Sequence, residues 1–182
     1  MKRALVLLAD GCEELEAVSI VDVLRRGGAE TAALSIAGRT EIAGAHGIRI
    51  LADGLFDPAA AASADAIALP GGMGGMRALR ASPAVLDALR AAAARGAIVA
   101  AVCAAPAVLD AAGLLAGRRF CCYPGIERSL SGAGTYVPDV PTVVDGNVVT
   151  GTGPGTAALF AAEILRALGG PADDVAAAML LS

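Results

Sequence analysis

Three short stretches concentrate the side chains able to do chemistry. They are Asp10-Gly11-Cys12-Glu13-Glu14-Leu15-Glu16, Pro70-Gly71-Gly72-Met73-Gly74-Gly75 and Cys103-Ala104-Ala105-Pro106. Each follows an apolar run of strand length. Cys103 closes the run Ala97 to Val102 and opens a helix of small residues. A side chain on such a strand-to-helix turn is presented outward, often on a strained backbone. The helix N-terminus favours the thiolate and lowers the thiol below its usual ~8.5. Cys103 is therefore a candidate nucleophile; on position alone the alternative is a buried structural cysteine.

The acids at 13, 14 and 16 admit two readings. A run of carboxylates at a helix start is ordinarily a solvated cap that complements the helix dipole. However, residues three apart share a helix face, so Glu13 and Glu16 lie together while Glu14 turns away. A carboxyl held against a thiolate has its own pKa raised by like charge and desolvation. It then donates a hydrogen bond and can shuttle protons. The glycine-rich Pro70–Gly75 stretch lacks the lysine of a phosphate-binding P-loop and the order of a dinucleotide fingerprint. Its glycines instead let backbone N–H groups approach a ligand oxygen closely.

The remaining candidates carry less. His46, the one histidine, falls in a loop before a short strand and is expected exposed. No histidine follows Cys103, so a local Cys-His-acid triad is excluded, and metal ligation is poorly supplied. Cys12 is either a passive loop residue or a resolving thiol for oxidised Cys103. Cys121 and Cys122 fall on a strand and point to opposite faces, one of them into the core. No CxxC pair is present, so the four cysteines are expected as free thiols in a reducing compartment.

The elements that must position these groups alternate between strand and helix. Arg3 to Ala9, Thr31 to Ala37, Ile48 to Leu51, Asp65 to Leu69 and Ala97 to Val102 read as strands. Glu13 to Arg26, with Leu15, Val18, Val21 and Leu24 on its inner side, and Ala84 to Arg95 after Ser82-Pro83 read as helices. Thr142 to Thr150 is a hairpin turning at Asp145-Gly146, and helices follow to the C-terminus. This pattern predicts one α/β domain over 1–182: a mostly parallel sheet with helices on both faces. Its ligand site belongs outside the carboxyl ends of the strands, where the three loops fall.

Composition removes other classes. With 14 Lys+Arg against 18 Asp+Glu, net −4, no basic face exists to neutralise phosphates. No Trp, three Phe and two Tyr leave little to stack on bases. No apolar run reaches the ~18 residues that suggest a membrane span. Met1-Lys2-Arg3 imitates a signal peptide, but Ala4 to Ala9 is too short for its core and meets Asp10. The reading is a cytoplasmic protein with no nucleic-acid or membrane partner.

The three loops together resemble the ThiJ/PfpI superfamily, and most its small, YajL-like and Parkinson-protein-like branch. RALVLLADGCEELEAV at 3–18, VDVLRRGG at 21–28, DAIALPGGMGG at 65–75, IVAAVCAAPAVL at 98–109 and GTGPGTAALFA at 151–161 carry it along nearly the whole chain. The resemblance implies a flavodoxin-like three-layer sandwich and a homodimer. It places the reactive cysteine on Cys103, and the protonated glutamate bonded to it on Glu16. The oxyanion-binding backbone falls on Gly71, Gly72 and Ala104. Arg26, His46, Tyr123 and Cys12 become possible second-layer groups, with His46 able to approach a neighbouring protomer's site.

Tyr123 stands where part of the family has histidine, leaving Glu16 as the main acid/base. Ala104 stands where the peptidase-like branch has histidine, which argues against proteolysis. The activity implied is a cofactor-independent, metal-free glyoxalase III or deglycase acting on 2-oxoaldehydes such as methylglyoxal or glyoxal, or on their early adducts. The alternative is an oxidative-stress sensor or chaperone in which Cys103 becomes a sulfinate.

Overall fold

The apolar runs form the middle of one sheet. The structure, a computed structural model, describes residues 1–181. The chain runs β1 (Arg3–Leu8), α1 (Glu14–Arg26), β2 (Glu30–Ser35), β3 (Glu41–Ala43), β4 (Arg49–Leu51), β5 (Gly54–Leu55), α2 (Pro58–Ala61) and β6 (Ala66–Leu69). It continues with α3 (Met73–Arg80), α4 (Pro83–Ala94), β7 (Ile98–Val102), α5 (Pro106–Ala111), β8 (Arg119–Phe120) and β9 (Thr135–Tyr136). β10 (Thr142–Asp145), β11 (Val148–Gly151), α6 (Ala157–Ala167) and α7 (Ala172–Ala178) complete it.

Seven strands make the main sheet in the order β10-β11-β7-β6-β1-β2-β5. All neighbours are parallel except β10, which pairs antiparallel with β11 across the Asp145-Gly146 turn. Side chains alternate along β1, as a pleated strand requires. Ala4, Val6 and Leu8 pack with Ile20 and Leu24 of α1 and Phe160 and Ile164 of α6. Leu5 and Leu7 pack on the other face with Leu79 of α3, Leu89 of α4 and Leu109 of α5. The result is the three-layer α/β sandwich that the strand–helix alternation predicts. From β1 the chain lays strands first one way (β2, β5) and then the other (β6, β7, β11). Strand order therefore switches beside β1, and the loops after β1, β6 and β7 meet there.

Three local expectations fail. The glycine-rich stretch opens helix α3, capped by Gly72 at φ 82°, because burying Met76 and Leu79 outweighs the poor helix propensity of Gly74 and Gly75. Helix α1 buries Ala17, Ile20, Val23 and Leu24 and leaves Leu15 and Val18 more than half exposed, so its inner face is rotated from the one expected. Cys121 and Cys122 are both buried, beyond the end of β8.

Candidate active site

Cys103 sits one residue beyond β7 with φ 62°, a left-handed conformation that costs a non-glycine residue roughly 1–2 kcal/mol. Both sides of its backbone are held: its N–H donates to the Gly151 carbonyl at 3.0 Å, and its carbonyl accepts from the Tyr123 N–H at 2.9 Å. The surrounding strands thus impose the turn, and the side chain projects from the sheet edge instead of continuing into it. The N–H groups of Gly72 and Ala104 lie near the sulfur and favour its anion.

Glu16 comes to the same point from the first turn of α1. Glu13 is the N-cap of that helix; its Oε2 accepts from the Glu16 N–H at 2.7 Å. Glu16 is 0% exposed, and its Oε2 accepts from the Gly71 N–H at 2.6 Å. Gly71 separates the acid from the thiol. A Cβ added there would lie 2.7 Å from Cys103 Cβ and 2.8 Å from Glu16 Oε2, so only glycine admits this approach. Glu16 Oε1 is buried with no hydrogen-bond partner.

These surroundings move both titrations. Burial pushes Glu16 up to about 7, against the pull of the Gly71 N–H and of Cys103, with the Glu13 charge adding to the rise. Burial and the Glu16 negative charge push the Cys103 thiol up to about 12, against the pull of the Gly72 and Ala104 N–H groups. The thiol is therefore not acidified simply by its seat at a helix start, as the sequence suggested. Helix α5 is six residues long, and desolvation outweighs its dipole. The thiolate becomes favourable when Glu16 carries the proton. The acid then ceases to repel the sulfur. The two titrations are therefore coupled.

The sulfur faces an open pocket of about 710 Å³, lined by Glu13, His46, Gly72, Cys103, Ala104 and Tyr123 among others. Glu14, expected to turn away from both Glu13 and Glu16, parts from Glu16 only: it is buried under the loop before β4, where it and Glu13 both approach His46. Its Oε1 accepts from the His46 N–H at 2.7 Å and the Ile48 N–H at 3.3 Å, and its Oε2 meets His46 Nδ1 at 2.9 Å. A Cβ on Gly44 would fall 2.2 Å from the Glu14 carboxyl, so the loop wraps the acid tightly. Burial alone would raise Glu14, but the His46 ring and these N–H groups bring it down to about 2. The same carboxylate raises His46 above its ordinary value. His46 is exposed as expected, yet held.

Among the described residues, Glu13, Glu14 and His46 bring donor atoms within 4.8 Å of one another, the spacing a cation needs. Glu14 already spends both oxygens on N–H donors, so that cluster is occupied by its own hydrogen bonds.

The structure thus brings Cys103, Glu16, Gly72 and Ala104 together, with Tyr123 and His46 on the pocket wall. Three candidates move out of their assigned places. The Gly71 N–H is committed to Glu16, so it orients the acid instead of meeting an oxyanion. Arg26 lies at the far end of α1, ten residues or ~15 Å from Glu16, and pairs with Asp22 at 2.7 Å in solvent. Cys12 is fully buried in the core, with burial pushing its thiol up to about 11, and its side chain does not line the pocket. Sequence reasoning missed the pairing of Glu14 with His46. The two are far apart in the chain, and no local spacing announces them.

A mostly parallel three-layer sandwich with a left-handed cysteine at the switch point and a buried acid beside it defines a flavodoxin-like α/β protein of the cysteine-elbow kind. The DJ-1/PfpI family profile matches residues 2–167, and the chain belongs to that family. The crystal structure of Drosophila melanogaster DJ-1beta superposes with a TM-score of 0.92 at 38% identity, covering 100% of this chain and 98% of that one. A glutathione-independent glyoxalase of Caenorhabditis elegans is 36% identical over 172 residues, 93% of this chain and 90% of its own. A deglycase of Pyrococcus abyssi is 33% identical over 166 residues, 91% of this chain and 99% of its own. Among the described residues no helix is long and apolar enough to cross a membrane.

Proposed function

We propose that this chain is a cofactor-independent enzyme of the glyoxalase III or deglycase type, acting on small 2-oxoaldehydes such as methylglyoxal or glyoxal and on their early protein or nucleotide adducts. The observation that carries the reading is the Cys103 sulfur lining an open pocket, with the buried Glu16 carboxyl brought against it across Gly71. The relatives named glyoxalase and deglycase support a reactive carbonyl compound as substrate.

The thiolate adds to the aldehyde carbon, a C–S bond forms, and the developing oxyanion faces the Gly72 and Ala104 N–H groups. Glu16 gives its proton to that oxygen. As a carboxylate it then takes the proton from the same carbon, giving an enediolate; the hydroxyl proton passes to the neighbouring oxygen, and Glu16 returns the carbon-bound proton to the neighbouring carbon, leaving a lactoyl thioester. Water cleaves the thioester, releasing lactate and the thiol. Nothing here calls for a peptidase.

The test is lactate formation from methylglyoxal by purified protein. Cys103→Ser should abolish it and Glu16→Gln should reduce it by ~100-fold or more. A second reading, an oxidative-stress sensor or chaperone, draws on the same two N–H groups, which would hold a sulfinate on Cys103. Negligible lactate, with peroxide still converting Cys103 to a stable sulfinate, would favour it.

The chain is read as a single domain working in the cytoplasm as a homodimer. Support for the dimer comes from Leu15, Val18, Ile48 and Leu51, large apolar side chains exposed together around α1 and the β3–β4 ribbon.

A further inference from the structure

Resting on that reading, we propose that His46, oriented by Glu14, is a further catalytic residue: the general base that activates water to release product from Cys103. Two observations place it. His46 and Cys103 line the same pocket. The Glu14 carboxylate, 4% exposed and anchored by the His46 and Ile48 N–H groups, meets His46 Nδ1 at 2.9 Å. A buried carboxylate on one ring nitrogen fixes the imidazole and its tautomer, leaving Nε2 to accept a proton. Glu13 Oε1, at 3.8 Å from Nδ1, also steadies the imidazolium formed.

Glu16 is suited to the earlier proton movements but not to this one. It is sealed from solvent, and after the rearrangement it faces the thioester sulfur. His46 lies on the open wall of the pocket.

The step balances without a co-reactant. Water oxygen attacks the thioester carbon as its proton passes to Nε2. The tetrahedral intermediate collapses and the C–S bond breaks, with the electron pair leaving on sulfur. The proton on the imidazolium then returns through solvent, and lactate departs.

The experiment compares wild type, His46→Gln and His46→Asn with methylglyoxal, following lactate in steady state and the Cys103 adduct by intact-protein mass. Adduct formation should keep its wild-type rate in both variants. Lactate release should fall by ~100-fold, the protein should accumulate as the one-substrate adduct, and added imidazole should restore release in part. Glutamine and asparagine can still donate a side-chain N–H to Glu14, and circular dichroism checks that the fold is intact.

Wild-type release in His46→Gln overturns the assignment while leaving the glyoxalase reading standing. A wild type that makes no lactate at all removes both. Release that chelators abolish in wild type, and that zinc restores, hands the Glu13, Glu14 and His46 cluster to a cation and also overturns it.

Discussion

Replacing Glu16 by glutamine isolates what burying that acid costs the fold. Folded Glu16 titrates at about 7, against 4.5 for an ordinary glutamate. Between those values the folded protein holds a proton that the unfolded chain has released. Stability therefore falls as pH rises through this window. The contribution is intact below 4.5, and the full penalty is present above about 7. At ~1.4 kcal/mol per pH unit the gap amounts to about 3 kcal/mol.

Glutamine keeps the volume, accepts the Gly71 N–H with its oxygen, offers an N–H to the orphan position and does not titrate. Both proteins should carry Cys103→Ala, so that no thiol adds its own titration, and His46 is common to both and cancels. Urea unfolding followed by circular dichroism at several pH values between 4 and 8 gives the two curves. The Glu16→Gln protein should gain on its parent by about 3 kcal/mol across the range, with unchanged m-values. A gap that stays flat, or that narrows as pH rises, would refute a buried acid protonated near neutrality, and with it the neutral carboxyl beside the sulfur.

Two further substitutions probe the geometry. Gly71→Ala pushes a methyl into Cys103 Cβ and Glu16 Oε2 at once; it should cost ~1–3 kcal/mol in thermal unfolding and cut lactate formation by more than ~10-fold. Cys103→Gly should be more stable than Cys103→Ala by ~1 kcal/mol in chemical unfolding, since glycine tolerates φ 62° and alanine does not. Equal stabilities would mean that the turn carries no strain.

Most of the fold was legible because its signals are local. An apolar run of strand length reads as a strand whatever surrounds it, and Ser82-Pro83 or Asp145-Gly146 marks a boundary within two residues. What escaped depends on tertiary partners. The Met73–Arg80 helix exists because Met76 and Leu79 reach the core, which no propensity reveals. Exposed Leu15 and Val18 defeat periodicity on α1, because a helix that leaves an apolar face uncovered no longer points its hydrophobic side inward.

The site divides the same way. Cys103 was visible from its seat between a strand and a helix, and Glu16 through the family pattern of its loop. The acidity of the sulfur was not, because position at a helix start and burial push it in opposite directions, and only the arrangement in space decides between them. Gly71 shows how: one missing side chain brings the acid against the sulfur, and its N–H turns the acid to face it. A neutral carboxyl in that place steadies a thiolate, and an ionised one suppresses it. The reactivity of this cysteine therefore depends on whether Glu16 keeps its proton, which burial favours and the Gly71 N–H opposes.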